Sequence, residues 1–343
     1  MQNGTYLNWV ISNTKTKWWH DSADPAELDL GLERGAVGVT TNPFLTNATL
    51  AKNKAAWKEH IDAVLAQKLP PEAKAEALMR GVVTQAAAKL MPEYERSGGE
   101  NGYVCAQVNP LRAGERECML PMAKRFHAWA PNIAVKLPAT AAGIDVLEDC
   151  IAAGITVTVT VSFTVPQVVA IAERHRKGIA RAKAAGIEPG KCFSVIMIGR
   201  LDDYLREVAR DSYPGVDEAS IRQAGLAATK RAYRIYKERG YEAVLLVAAL
   251  RGEYHFTELA GADLVMSIHP GFQPPFIDKD HPREETIDRE IPAHAIQQLS
   301  RMPEFVRAYE PDGMSPEEFV TYGATQRTLS QFSEVGWKPL ESM

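Results

Sequence analysis

Asn132-Ile-Ala-Val-Lys-Leu-Pro-Ala-Thr140 places a lysine inside a segment that otherwise has the composition of a buried strand. Alternation puts Ile133, Val135 and Leu137 on one face and Ala134 and Lys136 on the other. An ammonium removed from water without a partner is costly, so Lys136 reaches solvent, finds a carboxylate, or gives up its proton. The last outcome makes a nucleophile. A neutral amine in an enclosed site condenses with a ketone or aldehyde, and the resulting Schiff base is an electron sink for a neighbouring carbon-carbon bond. A lysine snorkelling from a strand end is the plainer reading of these residues alone.

Downstream, Ile144 to Ala153 has helical spacing, and Thr156-Val-Thr-Val-Thr-Val-Ser-Phe163 alternates again, with Thr156, Thr158, Thr160 and Ser162 on one face. Strand, helix and strand in succession predict parallel strands joined by a crossover. The rhythm extends both ways, with strand-like runs at 18–22, 35–42, 103–109, 133–138, 156–163, 192–200, 243–251 and 263–269 and helical patterns at 71–90, 165–185 and 218–239. Eight candidate strands in 343 residues predict a single-domain (β/α)8 TIM barrel over residues 1–343. An extra N-terminal segment carries Trp9, Trp18 and Trp19, and residues 316–343 form a C-terminal helical extension that packs back on the barrel. Between them, residues 270–315 are proline-rich and then charged, which predicts an excursion: a loop, a lid or a subunit contact.

In a parallel barrel the chemistry gathers at the C-terminal strand ends, which here supply Asp21, Asn42, Gln107, Lys136, Thr160, Arg200 and Arg251. Two arginines suit an anionic group and the amides and hydroxyls suit sugar oxygens, so the expected guest is an anionic, hydroxylated carbonyl compound. Each residue also has a structural alternative. Asn42 before Pro43 is an ordinary helix start, Asp21 stands near a capping sequence, and Arg200 has Asp202 and Asp203 beside it for a surface ion pair.

Composition narrows the classes. With 45% hydrophobic and 24% charged residues, and a net charge of -4, the chain reads as an ordinary globular protein without an affinity for nucleic acid. No apolar run is long enough for a membrane span and the first residues lack the order of a signal peptide, so a cytoplasmic protein is expected. The four cysteines form no C-x-x-C pair and read as reduced structural thiols. The basic run from Arg174 to Lys177, with Arg181 and Lys183, reads as a solvated helix face. His20, His255, His269 and His281 lack a compact ligand spacing, so no metal is expected.

Several stretches resemble the transaldolase family, including its fructose-6-phosphate aldolase relatives. They are Gly38-Val-Thr-Thr-Asn-Pro43, Val135-Lys-Leu-Pro138 with Gly143, Gly154-Ile155 with Thr160 and Gln167, Ile198-Gly-Arg200, and Ala249-Leu-Arg251 ahead of Leu259-Ala-Gly-Ala-Asp263. The resemblance runs from about residue 20 to about residue 270 and implies the same barrel. It implies that Lys136 forms the Schiff base, Asp21 is the acid/base, and Thr160 holds a catalytic water with Gln107. Asn42 would bind a hydroxyl of the three-carbon fragment, with Thr158, Met197 and Ala249 at further substrate positions, and Arg200 and Arg251 would take a distal anion.

The implied activity is transfer of a dihydroxyacetone unit between an anionic, phosphorylated ketose and an aldose in carbohydrate metabolism, as in the pentose phosphate pathway. It needs no cofactor and is compatible with a homo-oligomer. The departures from the family pattern leave room for an aldolase with dihydroxyacetone as donor, or for a ketose with another anionic head group. Gln107 is Glu in longer transaldolases and Gln in the aldolase relatives. Met197 replaces an aromatic residue, Val195 and Ala249 replace serines, and Thr158 replaces an asparagine.

Overall fold

The computed structural model describes residues 4–343, so residues 1–3 of the expected N-terminal segment lie outside it. Eight parallel strands close a barrel in sequence order: β1 (Lys17–His20), β2 (Gly38–Val39), β3 (Tyr103–Gln107), β4 (Ile133–Pro138), β5 (Val157–Thr160), β6 (Cys192–Met197), β7 (Val244–Ala248) and β8 (Val265–Ile268), with β8 paired to β1. The fold is the (β/α)8 barrel that the strand-helix rhythm predicts. Strands buried on both faces explain the near-continuous apolar runs, and every residue of β3 to β6 is buried.

The lower interior is plugged by aromatic rings from opposite walls. Trp19 of β1 and Tyr103 of β3 both meet Phe193 of β6, at centroid distances of 4.5 and 5.5 Å. Gly38 of β2 makes room, since a Cβ there would stand 2.4 Å from the Trp19 ring. The barrel is therefore a packed core below and open only at its C-terminal mouth.

Around the strands run α1 (Tyr6–Asn13), α2 (Pro25–Glu33), α3 (Pro43–Lys52), α4 (Lys54–Ala66), α5 (Pro71–Arg96), α6 (Arg116–His127), α7 (Ala141–Ala152), α8 (Val165–Ala184), α9 (Ile198–Ser212), α10 (Glu218–Ile221), α11 (Ala224–Arg239) and α12 (Tyr254–Thr257). The pattern read as one helix over 218–239 is two, α10 and α11, broken at Arg222 and Gln223. The basic run on α8 is a salt-bridged seam: Arg174 pairs with Asp145 and Glu148 of α7 at 2.5 and 3.2 Å, and Arg181 with Glu148 and Asp149.

Residues 270–315 carry α13 (Pro274–Asp278), α14 (Ala293–Leu299) and α15 (Pro303–Tyr309), and Phe276, Leu299, Met302 and Phe305 are buried. The tail comprises α16 (Gly323–Gln331), a π-helical segment (Phe332–Trp337) and α17 (Lys338–Ser342). Gly336 in the π segment would bring a Cβ within 2.9 Å of the Phe44 amide, so the tail lies directly against the start of α3. No helix among the described residues is long and apolar enough to cross a membrane.

Candidate active site

A cavity of about 240 Å³ opens at the C-terminal mouth. Asp21, Asn42, Lys136, Thr160, Met197, Arg200, Ala249 and Arg251 all line it. Eight of the ten positions singled out from the sequence thus converge on one space. The other two, Gln107 and Thr158, lie level with Lys136 on the neighbouring strands β3 and β5 and are buried beside it without lining the cavity.

Lys136 is 6% exposed, and its Nζ donates to the Thr41 carbonyl at 3.1 Å. Among the described residues no carboxylate lies within ion-pair distance of it, so the snorkelling and salt-bridge readings both fall away. Gln107 Oε1 beside it is a buried acceptor with no partner among the described residues. Thr158 receives the Cys105 thiol at 3.5 Å.

Asp21 follows β1, and its Oδ1 accepts from the Thr40 hydroxyl at 2.6 Å. Thr40 has one hydroxyl proton to give, so the 2.5 Å contact between its Oγ1 and Ser267 Oγ is donated by Ser267. This Ser267-Thr40-Asp21 relay orients the carboxylate toward the cavity. The helix cap that could have used Asp21 is made by Asp24 instead, whose side chain accepts from the Glu27 amide. Asn42 does cap α3, its side chain accepting from the Leu45 amide at 2.9 Å, and it faces the cavity as well.

β5 ends at Thr160 because Val161 turns to a φ of 58°, a conformation rare for a β-branched residue. The hydroxyl ladder therefore stops there: Thr160 faces the cavity, while Ser162 donates to the Val195 carbonyl at 2.6 Å. The buried amide of Gln167 holds the turn, its Oε1 accepting from the Phe163 amide and the Thr164 hydroxyl and its Nε2 donating to the Val161 carbonyl.

Arg200 stands in the first turn of α9 rather than at a strand end, because β6 stops at Met197. It pairs with neither Asp202 nor Asp203. Its Nη1 donates to Gln331 Oε1 at 2.6 Å, its Nε is buried without a partner among the described residues, and the Phe332 ring lies 5.5 Å from its guanidinium carbon. Burial and the neighbouring Arg251 push its pKa down to about 10, so the group is still charged at neutral pH but gains from an added anion. Arg251 takes the Asp203 ion pair, at 2.8 Å.

The sequence reading did not anticipate one wall of the mouth. Phe44, Phe272, Phe332 and Val335 line it together with His269 and Gln331. Residues from the tail enter only through tertiary packing, and nothing in their local pattern signals it. Among the described residues no group of three or more His, Cys, Asp or Glu side chains is placed to share a metal. His20 lies behind β1 against Gln273, His255 against Asp202, and His281 against Tyr6.

The profile of the family described as "Transaldolase/Fructose-6-phosphate aldolase" matches residues 18–315. The chain belongs to the transaldolase family. Among the relatives of this transaldolase-family chain are "Transaldolase 1" of Streptomyces avermitilis, 30% identical over 61% of this chain and 56% of the relative, and "Transaldolase" of Mycolicibacterium smegmatis, 33% identical over 60% and 56%. "Transaldolase" of Thiobacillus denitrificans is 29% identical over 67% of this chain and 65% of the relative. The chain thus spans somewhat over half the length of the curated relatives it matches. The family match takes in all eight strands but for Lys17 at the start of β1, and hence every element that builds the cavity except the tail.

Proposed function

We propose that the protein is a Schiff-base transaldolase, transferring a dihydroxyacetone unit from an anionic ketose to an aldehyde. The observation that carries this reading is the burial of Lys136, without a carboxylate partner, in the same cavity as Asp21.

In its neutral form the Lys136 amine adds to the ketose carbonyl, and loss of water with uptake of one proton from solvent gives an iminium. Asp21 takes the proton from the hydroxyl beyond the bond to be broken. The carbon-carbon bond then cleaves, an aldehyde leaves, and the electron pair is held as an enamine on Lys136. Capture of the enamine by a second aldehyde, with the proton returned from Asp21, reverses these steps and completes transfer. Thr160 and the free acceptor of Gln107 would hold the water released and consumed at Lys136, and Asn42 would bind a hydroxyl of the three-carbon fragment. Arg200 and Arg251 would receive the distal anion.

Transfer is favoured over net aldol cleavage by Met197, which lines the cavity where a tyrosine could protonate the enamine. Gln107, shared with the aldolase relatives, favours the alternative. Val195 and Ala249, with the Phe44, Phe272, Phe332 and Val335 wall, remove donors and add apolar surface at the mouth, which favours a ketose or acceptor different from the common sugar phosphates. The free thiols of Cys105, Cys118, Cys150 and Cys192 suit a cytoplasmic enzyme.

The test is turnover of ketoses with phosphate or other anionic termini, with and without an acceptor aldehyde. A transaldolase turns over only when the acceptor is present. Steady release of dihydroxyacetone without one would make the protein an aldolase.

A further inference from the structure

Arg251 lies in the loop after β7, where no ladder or helix fixes its backbone. Its N–H donates instead to Nδ1 of His255 at 3.1 Å, and His255 Nε2 stands 2.9 Å from Asp202 Oδ2. Both side chains are fully buried. Because an N–H points at Nδ1, that nitrogen is the acceptor, so the ring proton sits on Nε2 and is given to the Asp202 carboxylate. Asp202 is itself anchored, its Oδ1 accepting from the Gly225 amide at 2.8 Å.

The same turn of α9 holds the other end of Arg251. Asp203 accepts from its Nε at 2.8 Å. Gly199 allows the approach, since a Cβ there would stand 2.4 Å from both the Ala249 carbonyl oxygen and Arg251 Cγ. One helical turn that presents Arg200 to the cavity thus also fixes, through Asp202 and His255, the backbone from which Arg251 reaches the same cavity.

We propose that Asp202 and His255 are a positioning pair for Arg251, holding it convergent with Arg200 and so setting the preference for ketoses with a terminal oxyanion over neutral donors. The inference rests on the reading that these two arginines receive the anionic end of the substrate. Neither residue touches the reacting atoms, so loss of the pair weakens capture of the anion and leaves chemistry on a neutral donor intact.

The test compares His255→Leu, which removes both hydrogen bonds, with His255→Gln, whose amide offers an N–H and a C=O at the same separation. Half-saturation of the borohydride-trapped adduct is measured with fructose 6-phosphate and with dihydroxyacetone. In H255L the half-saturating concentration of fructose 6-phosphate rises about tenfold or more, that of dihydroxyacetone stays within about twofold, and H255Q restores the wild-type ratio. An equal shift for both donors, or none for fructose 6-phosphate, would overturn the proposal. If H255L does not fold, the same comparison is made with His255→Asn, which is too short to bridge Asp202 and Arg251. If the wild type forms no adduct with fructose 6-phosphate, affinity for inorganic phosphate decides the positioning claim: a loss of about tenfold in H255L and not in H255Q supports it, and an unchanged or undetectable affinity overturns it. Absence of an adduct with dihydroxyacetone as well makes the Schiff-base reading fail separately.

Discussion

The Lys136 Nζ lies 3.1 Å from the carbonyl oxygen of Thr41, across the β2 edge of the barrel mouth. A backbone carbonyl orients an amine through one N–H without the negative charge of a carboxylate, which would hold the nitrogen as an ammonium. The contact therefore fixes the direction of the nitrogen and leaves its remaining valences toward the cavity. Replacing Lys136 by Met keeps the volume of the buried stem and removes the amine. We expect Lys136→Met to fold with an unchanged or higher Tm and to lose at least about a thousandfold in activity. Thermal unfolding and turnover of the same preparation check both halves.

Asp21 is held by Thr40, which in turn is held by Ser267, so its carboxylate is placed independently of Lys136. Asp21→Asn preserves the shape and removes the base. The expected result is a fall of about 10² to 10⁴ in kcat with the adduct at Lys136 still formed, read by single-turnover kinetics alongside trapping. Loss of the adduct itself would place Asp21 in the condensation step.

Gly143 follows the reactive strand, and its amide donates to the Thr140 hydroxyl that caps α7. A Cβ at this position would stand 1.9 Å from the Pro138 carbonyl oxygen, a backbone atom that cannot move without displacing β4. Gly143→Ala should cost about 3 kcal/mol of stability, measured by urea unfolding, and should lower activity because Pro138 is two residues from Lys136.

His20 gives the fold a pH dependence. Gln273 Nε2 donates to the Ile268 carbonyl and to His20 Nδ1, while its Oε1 accepts from Arg34, so the amide orientation and the neutral imidazole tautomer are both fixed. Burial pushes this histidine from 6.5 down to about 4. The unfolded chain then binds the extra proton first, so the contribution is whole above pH 6.5 and is lost as pH falls toward 4, by about 3 kcal/mol in all. Urea midpoints at pH 7 and 4.5 should draw together in His20→Leu relative to wild type. Parallel pH slopes in the two proteins would contradict the assignment.

The strands were legible because alternation and short length survive burial on both faces: the run from Ile133 to Pro138 is β4 without adjustment. The reach of each run was less legible. β2 narrows to Gly38 and Val39, and Val161 ends β5 by a left-handed turn that its β-branched side chain argues against. Local pattern also placed most cavity residues, since strand ends converge by topology alone. Partnerships between distant segments are set by tertiary packing, which no window of sequence contains. Hence Arg200 meets Gln331 rather than its acidic neighbours, Asp203 goes to Arg251, and the π-helical tail supplies a wall with Phe332 and Val335.

The most direct measurement is borohydride reduction of the protein in the presence of dihydroxyacetone, followed by peptide mass mapping. One reduced three-carbon adduct on the peptide containing Lys136, absent from Lys136→Met, is the predicted result. An adduct elsewhere, or none with any ketose donor, would contradict covalent catalysis at this buried amine.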